Sequence, residues 1–254
     1  MSFLVMDIGN TRLKWALYEE ADPAARLQHG GVAMLEDIDQ LAQVQWHGLP
    51  HPQAMLGCVV AGETIRRRVE EQLGMWALTP RWVVAQQQCA GVVNAYEHPS
   101  RLGADRWAAL VGARHRILAG VAQGRPASAA VVVMVGTAVT VDAMDERGHF
   151  LGGSILPGFG LMLQALETGT AGLKVPSGEV RDFPTNTSDA LMSGGSDAIA
   201  GAIERMHRRL AERVGHAPQV LISGGAAVKL TPSLSVPHSL VDTLIFEGVL
   251  KLAS

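Results

Sequence analysis

The chain has 254 residues, 48% of them hydrophobic and only 18% charged, with 28 glycines that follow no collagen period; this composition excludes a disordered or fibrous chain. Its 21 basic and 24 acidic residues leave a net charge of -3, which argues against a protein held to nucleic acid mainly by phosphate neutralisation. Two cysteines, Cys58 and Cys89, make neither a disulfide framework nor a zinc site and are expected as reduced, buried thiols.

Apolar runs over 3–8 and 13–18 flank a Gly9-Asn10-Thr11 corner, which predicts strand, tight turn, strand. Asp7 interrupts the first run, so the opening does not resemble a signal peptide. No apolar run reaches the ~18 residues of a membrane span. A cytoplasmic protein is expected. A third strand is expected over 26–32, a helix over 36–46, a strand over 54–60, a helix over 65–73 and a short strand over 81–84. That order suits an α/β domain.

A helix is expected over 103–118, where Trp107, Leu110, Val111, Ile117 and Leu118 approximate one apolar face. Residues 124–128 read as a linker, dividing the chain into lobes 1–122 and 123–254. The opening pattern then returns. A strand over 130–137 ends in Gly136-Thr137, strands follow over 139–144 and 149–155, and Pro157-Gly158 opens a helix to about 167. A long helix over 187–214 carries Arg205, Arg208 and Arg209 on a solvated face. A strand over 219–222 runs into Ser223-Gly224-Gly225, and a helix over 240–252 closes the chain. Asp7-Ile8-Gly9-Asn10-Thr11 aligns with Met134-Val135-Gly136-Thr137-Ala138, which suggests two similar lobes facing one cleft.

The common nucleotide loops are missing: there is no Gly-x4-Gly-Lys-Ser/Thr and no Gly-x-Gly-x-x-Gly after a strand. The nine histidines show no metal-ligand spacing. Glycine corners can still hold phosphate, because their backbone N–H groups point at its oxygens and Thr or Asn side chains add donors. Gly9-Asn10-Thr11, Gly136-Thr137 and Gly224-Gly225 fit that role. Asp7 suits Mg²⁺, which takes a few carboxylates with water and substrate phosphate. Asp105 opens a helix. It reads either as an acid favoured by the helix dipole or as a base with a low pKa there.

Asp7-Ile8-Gly9-Asn10-Thr11 with Lys14 resembles the first phosphate motif of type III pantothenate kinases. Leu102-Gly103-Ala104-Asp105-Arg106, preceded by Asn94, Tyr96 and Pro99, resembles their pantothenate motif, and Gly136-Thr137-Ala138-Val139-Thr140-Val141-Asp142 their second phosphate motif. The stretch over 151–158, Thr187-x-x-Ala190 and Ser223-Gly224-Gly225 complete the order along the chain. The resemblance implies the α/β fold of the acetate and sugar kinase, heat-shock 70 and actin superfamily: two ribonuclease-H-like lobes with ATP in the cleft between them. It implies transfer of the ATP γ-phosphoryl group to the terminal hydroxyl of pantothenate, the first step towards coenzyme A. By that match Asp105 is the catalytic base, and Asp7 holds Mg²⁺ through phosphate or water. Gly9, Asn10, Thr11, Lys14, Gly136, Thr137, Gly224 and Gly225 serve ATP and its phosphates. Tyr96, Gly103, Ala104, Asp105, Arg106 and Thr187 line the pantothenate pocket. The family resemblance also implies a homodimer, with the 187–214 helix as an interface element.

One position departs from the pattern. The family has an acid two residues before the glycine of the second phosphate motif, where it helps bind K⁺ or ammonium; this chain has Met134. A thioether is a poor ligand for a hard cation, so the expectation is a weakened monovalent-cation requirement or a site rebuilt from backbone carbonyls. Two other readings stay open at this point: a superfamily kinase for another small substrate, and a non-catalytic regulator that keeps the fold.

Overall fold

Alternation along the first two strands decides how the N-terminal region packs. In a strand successive side chains face opposite sides. Leu4, Met6 and Ile8 therefore enter one core with Leu13, Trp15 and Leu17, while Phe3, Val5 and Asp7 face the other side. The computed structural model describes every residue except Met1, Ala171, Gly172, Lys174 and Val175. The chain forms two units, one of residues 1–127 with 243–254 and the other of residues 128–242.

In the first unit, β1 (Phe3–Ile8), β2 (Arg12–Tyr18), β3 (Leu27–Met34) and β4 (Ala54–Val59) form a four-stranded sheet in the order β3-β2-β1-β4. β1 is antiparallel to β2 and parallel to β4. The Leu4 side is closed by α1 (Glu63–Leu73) and by Ile38, Leu41, Trp46 and Trp76. The Asp7 side meets α2 (Ala104–Ala122) and α6 (Leu244–Ala253).

α2 and α6 cross very closely. A Cβ on Gly248 would lie 1.8 Å from the Ala108 carbonyl oxygen, and one on Gly112 would lie 2.2 Å from that of Leu244. Glycine at both points lets the two backbones touch. Arg116 then grips Glu247 with two bonds of 2.6 Å. The terminal helix thus belongs to the first unit, although the division at 122/123 put it in the second lobe.

Further departures from the sequence expectations have local causes. Residues 35–45 form a 3-10 turn (Leu35–Gln40) and then a π turn (Leu41–Gln45), not an α-helix. The fully buried anchors here are Ile38, Leu41 and Trp46. Their spacing of three and then five fits tight and then wide turns better than a uniform 3.6. Residues 81–84 make only an isolated bridge, Gly57 with Trp82, because the Trp82 ring covers Gly57 and Val84 turns out to solvent. The terminal helix begins at Leu244, not 240, and residues 239–240 instead pair with Leu221 and Ile222 as a short strand. A hairpin of β5 (Gln88–Cys89) and β6 (Val92–Asn94) had no clear sequence signal. Its turn places Ala90 at φ 49° and Gly91 at φ 78°, the left-handed pair of a type I′ turn. Both cysteines are free, but only Cys58 is buried; Cys89 is half-exposed.

In the second unit, β7 (Ala130–Val135), β8 (Ala138–Met144), β9 (His149–Pro157), β10 (Gln219–Ser223) and β11 (Ser239–Leu240) are ordered β11-β10-β7-β8-β9. α4 (Thr187–Val214) packs Ile199, Ala200 and Ile203 on one sheet face, against Val131, Val133, Val135, Val139 and Val141. Asn186 caps it by accepting from the Asp189 N–H at 2.9 Å, and Gly215 ends it at φ 79°. α3 (Phe159–Gly169) lies beside its first turns, and α5 (Ala227–Leu230) follows β10.

Candidate active site

The strand parity that faces Asp7 away from the main core sets it toward the start of α2. Register adds neighbours on the same face: Asp7 pairs with Lys14 across β2 and with Cys58 across β4. Cys58 is fully buried, and its thiol donates to the Ala104 carbonyl at 3.3 Å, tying β4 to the first turn of α2. Asp105 follows directly. Asp7, Lys14, Cys58 and Asp105 therefore form one group in the first unit.

The two carboxylates feel each other. Burial and then the charge of Asp105 raise the Asp7 pKa from 3.8 to about 6, while Lys14 pulls it down. Asp105 is also raised, by burial, against the opposing pull of the Arg106 N–H and guanidinium. This corrects the expectation of a low pKa at that helix start: desolvation outweighs the terminal amides. The Asp105 charge is, after burial, what holds the Asp7 pKa up. Burial and the same two carboxylates push the Cys58 thiol well above its ordinary range, so it stays protonated and can keep donating.

Gly103 makes room for this arrangement. A Cβ there would lie 2.7 Å from Asp105 Oδ1, which itself accepts from the Arg106 N–H at 2.8 Å. Arg106 is buried and donates from Nη1 to the Tyr96 hydroxyl at 3.3 Å, with its guanidinium 5.7 Å from the Tyr96 ring centroid. The structure thus brings Tyr96, Gly103, Ala104, Asp105 and Arg106 together. Gly9 closes its corner by donating to the Arg12 carbonyl at 3.1 Å, leaving Asn10 and Thr11 exposed at the end of the same two strands.

In the second unit the corresponding corner is one residue shorter. Gly136 N–H donates to the Ala138 carbonyl at 3.0 Å, and Thr137 is exposed. Gly158 packs hard on it: a Cβ there would lie 2.2 Å from the Gly136 carbonyl oxygen. Gly224, at φ 110°, packs equally hard on Val135, with a Cβ position 2.3 Å from its carbonyl oxygen. Gly136, Thr137, Gly158 and Gly224 are thus one cluster at the ends of β7, β8 and β10, with Gly225 exposed beside it. Thr187 is elsewhere, exposed at the first position of α4 next to its cap Asn186.

Met134 pairs with Thr140 on β8 and with Ser223 on β10. Thr140 and Ser223 are buried, and Thr140 Oγ1 has no hydrogen-bond partner. Met134 sets a thioether, a poor ligand for a hard cation, between these two hydroxyl oxygens. Among the described residues no cluster of three or more His, Cys, Asp or Glu side chains could hold a metal by itself. The Asp7–Asp105 pair does suit Mg²⁺, which takes one or two carboxylates and leaves its other positions to water and phosphate.

Sequence reasoning passed over Cys58 and Asn94. In the sequence Cys58 reads as an ordinary buried thiol, and only strand register reveals that it lies beside Asp7. Asn94 was a motif letter without a role; its amide contacts require the folded loop.

Comparison with known proteins gives the group a context. The family model for type III pantothenate kinase matches residues 3–209. A type III pantothenate kinase of Leptothrix cholodnii is 64% identical over 254 residues, covering 100% of this chain and 97% of that one. One from Methylibium petroleiphilum is 59% identical, at 100% and 99% coverage, and one from Chromobacterium violaceum 41%, at 99% and 99%. Among solved structures, a protein from Campylobacter jejuni described as a Baf family transcriptional activator superposes with TM-score 0.59 at 21% identity, covering 96% of this chain and 94% of that one. A protein from Sinorhizobium meliloti described as a 2-dehydro-3-deoxygalactonokinase gives 0.57 at 13%, covering 99% and 97%. These two likenesses speak for the fold alone. The full-length identities and the family match speak for more: the chain belongs to the type III pantothenate kinase family.

Proposed function

We propose that this protein transfers the γ-phosphoryl group of ATP to the terminal hydroxyl of pantothenate, giving 4′-phosphopantothenate and ADP. The observation that carries the reading is the Asp7–Asp105 carboxylate pair of the first unit, set beside Lys14, Arg106 and Tyr96 in a member of that kinase family. A non-catalytic regulator has no need of two buried, electrostatically coupled carboxylates, and that reading is not favoured.

Phosphoryl transfer passes through a loose transition state, so the protein's work is positioning and charge stabilisation. Asp105 accepts the proton of the pantothenate hydroxyl as its oxygen bonds to the γ-phosphorus and the bond to the β-phosphate oxygen breaks. Its raised affinity for a proton favours that role. Arg106 and Tyr96 hold the acidic, polar substrate, with Gly103, Ala104 and Thr187 as further lining. Gly9, Asn10, Thr11, Lys14, Gly136, Thr137, Gly224 and Gly225 serve the ATP phosphates and nucleoside. Asp7 would hold Mg²⁺, which when bound neutralises charge on the phosphate oxygens. The donor set around Met134 does not fit K⁺ or ammonium, and no step is assigned to either.

A homodimer belongs to the same proposal. It is supported by exposed apolar side chains in the second unit, Ile155, Leu161, Leu166 and above all Phe183 at 90% exposure. A cytoplasmic place fits a user of ATP with two free cysteines; among the described residues no helix is long and apolar enough to cross a membrane. The test is a coupled assay of ADP release with ATP and Mg²⁺. Release that depends on pantothenate and is absent with sugars or acetate is the expected result; release with a sugar and none with pantothenate would overturn the reading.

A further inference from the structure

Asn94 is 2% exposed, and it is a buried amide whose groups are almost all engaged. Its Nδ2 donates to the Gln86 carbonyl and to the Pro99 carbonyl, both at 3.2 Å. Its Oδ1 accepts from the Tyr96 N–H at 3.0 Å, and its own N–H donates to the Gln87 carbonyl at 2.9 Å. One side chain therefore joins the segment before the β5–β6 hairpin, the residue Tyr96 after it, and the 3-10 turn Pro99–Arg101 that leads into Gly103 and Asp105. The hairpin is itself pinned to α2, since Arg114 Nε donates to the Gly91 carbonyl at 3.1 Å. Downstream, the Tyr96 hydroxyl accepts from Arg106.

We infer that Asn94 is a positioning residue for the hydroxyl-bearing substrate: it sets Tyr96, and through it Arg106, while making no contact with the substrate itself. The inference rests on the pantothenate reading of Tyr96 and Arg106. The chemistry demands an amide. Asn offers two donors and an acceptor on a short stem. Asp keeps the shape and the acceptor but loses both donors to the Gln86 and Pro99 carbonyls. Ala loses all three bonds and leaves the Gln86 and Pro99 carbonyls and the Tyr96 N–H without these partners. None of the Asn94 bonds reaches the β1–β2 corner, so on this proposal nucleotide binding does not depend on Asn94.

The test compares wild-type protein with Asn94→Ala and the isosteric Asn94→Asp. The expected result is a pantothenate KM raised about ten-fold, as for a lost buried hydrogen bond, with the ATP KM unchanged. The effect should not add to that of Tyr96→Ala, because residues acting through one another are non-additive. Equal rises in both KM values, or full additivity with Tyr96→Ala, would overturn it. Amide exchange gives a readout that needs no turnover. It should quicken over residues 95–103 in either variant while residues 3–18 are unaltered; unchanged exchange over 95–103 would overturn the proposal whatever the activity. Wild-type turnover with pantothenate tests the underlying reading by itself, so the two failures are told apart.

Discussion

Replacing Asp7 by Asn should stabilise the fold while removing activity. The folded carboxyl has a pKa of about 6 against 3.8 in a solvated chain. Between those values the folded state binds the extra proton, so stability falls as pH rises from about 4 to 6 and stays low above. At 1.36 kcal/mol per pKa unit, ionising Asp7 in place costs at most about 3 kcal/mol at pH 8 and roughly half that at pH 5. Asparagine keeps the shape without the charge and relieves that cost. Asp7→Asn should therefore melt several degrees above wild type at pH 8, at about 2–4 °C per kcal/mol for a protein of this size. The margin should shrink at pH 5 and nearly vanish at pH 4. Melting curves are measured in EDTA, so that a bound cation does not mask the repulsion, and ADP release is assayed in parallel with Mg²⁺. A variant no more stable than wild type at pH 8, or one whose advantage is the same at pH 4, would refute the account of a carboxylate desolvated beside a second one.

Asp105→Asn should lower kcat by roughly 10²–10⁴-fold, the usual size of general-base catalysis, with ATP affinity by calorimetry largely kept; near-full turnover would remove Asp105 from the role. Gly248→Ala places a methyl where the Ala108 carbonyl already lies, 1.8 Å away, and should lose about 1–3 kcal/mol in urea unfolding. A neutral result would mean that α6 does not press on α2 as described. Turnover should be equal in Na⁺ and K⁺ buffers, because the Met134 thioether is a poor ligand for a hard cation. Strong K⁺ dependence would show the site rebuilt from other oxygens.

The longer strands, the glycine corners and most helices are legible in the amino-acid sequence, because their signals are local. Apolar runs of strand length, a Gly-Asn-Thr turn and the 3.6-residue spacing of the 187–214 helix need no distant partner. The sequence also held the ordered motifs that carry the family likeness. Features set by non-local partners emerge only on folding. The helix over 36–46 became a 3-10 and a π turn because three buried anchors, not intrinsic propensity, fix its winding. The C-terminal helix joined the first unit because Gly112 and Gly248 let two backbones touch, and glycine in a sequence does not say what it will touch. The group of Asp7, Lys14, Cys58 and Asp105 depends on strand register, which aligns residues 51 positions apart. The high pKa of Asp7 follows from that proximity in a desolvated place, since a carboxylate's charge costs little until water is removed and a second one is set beside it.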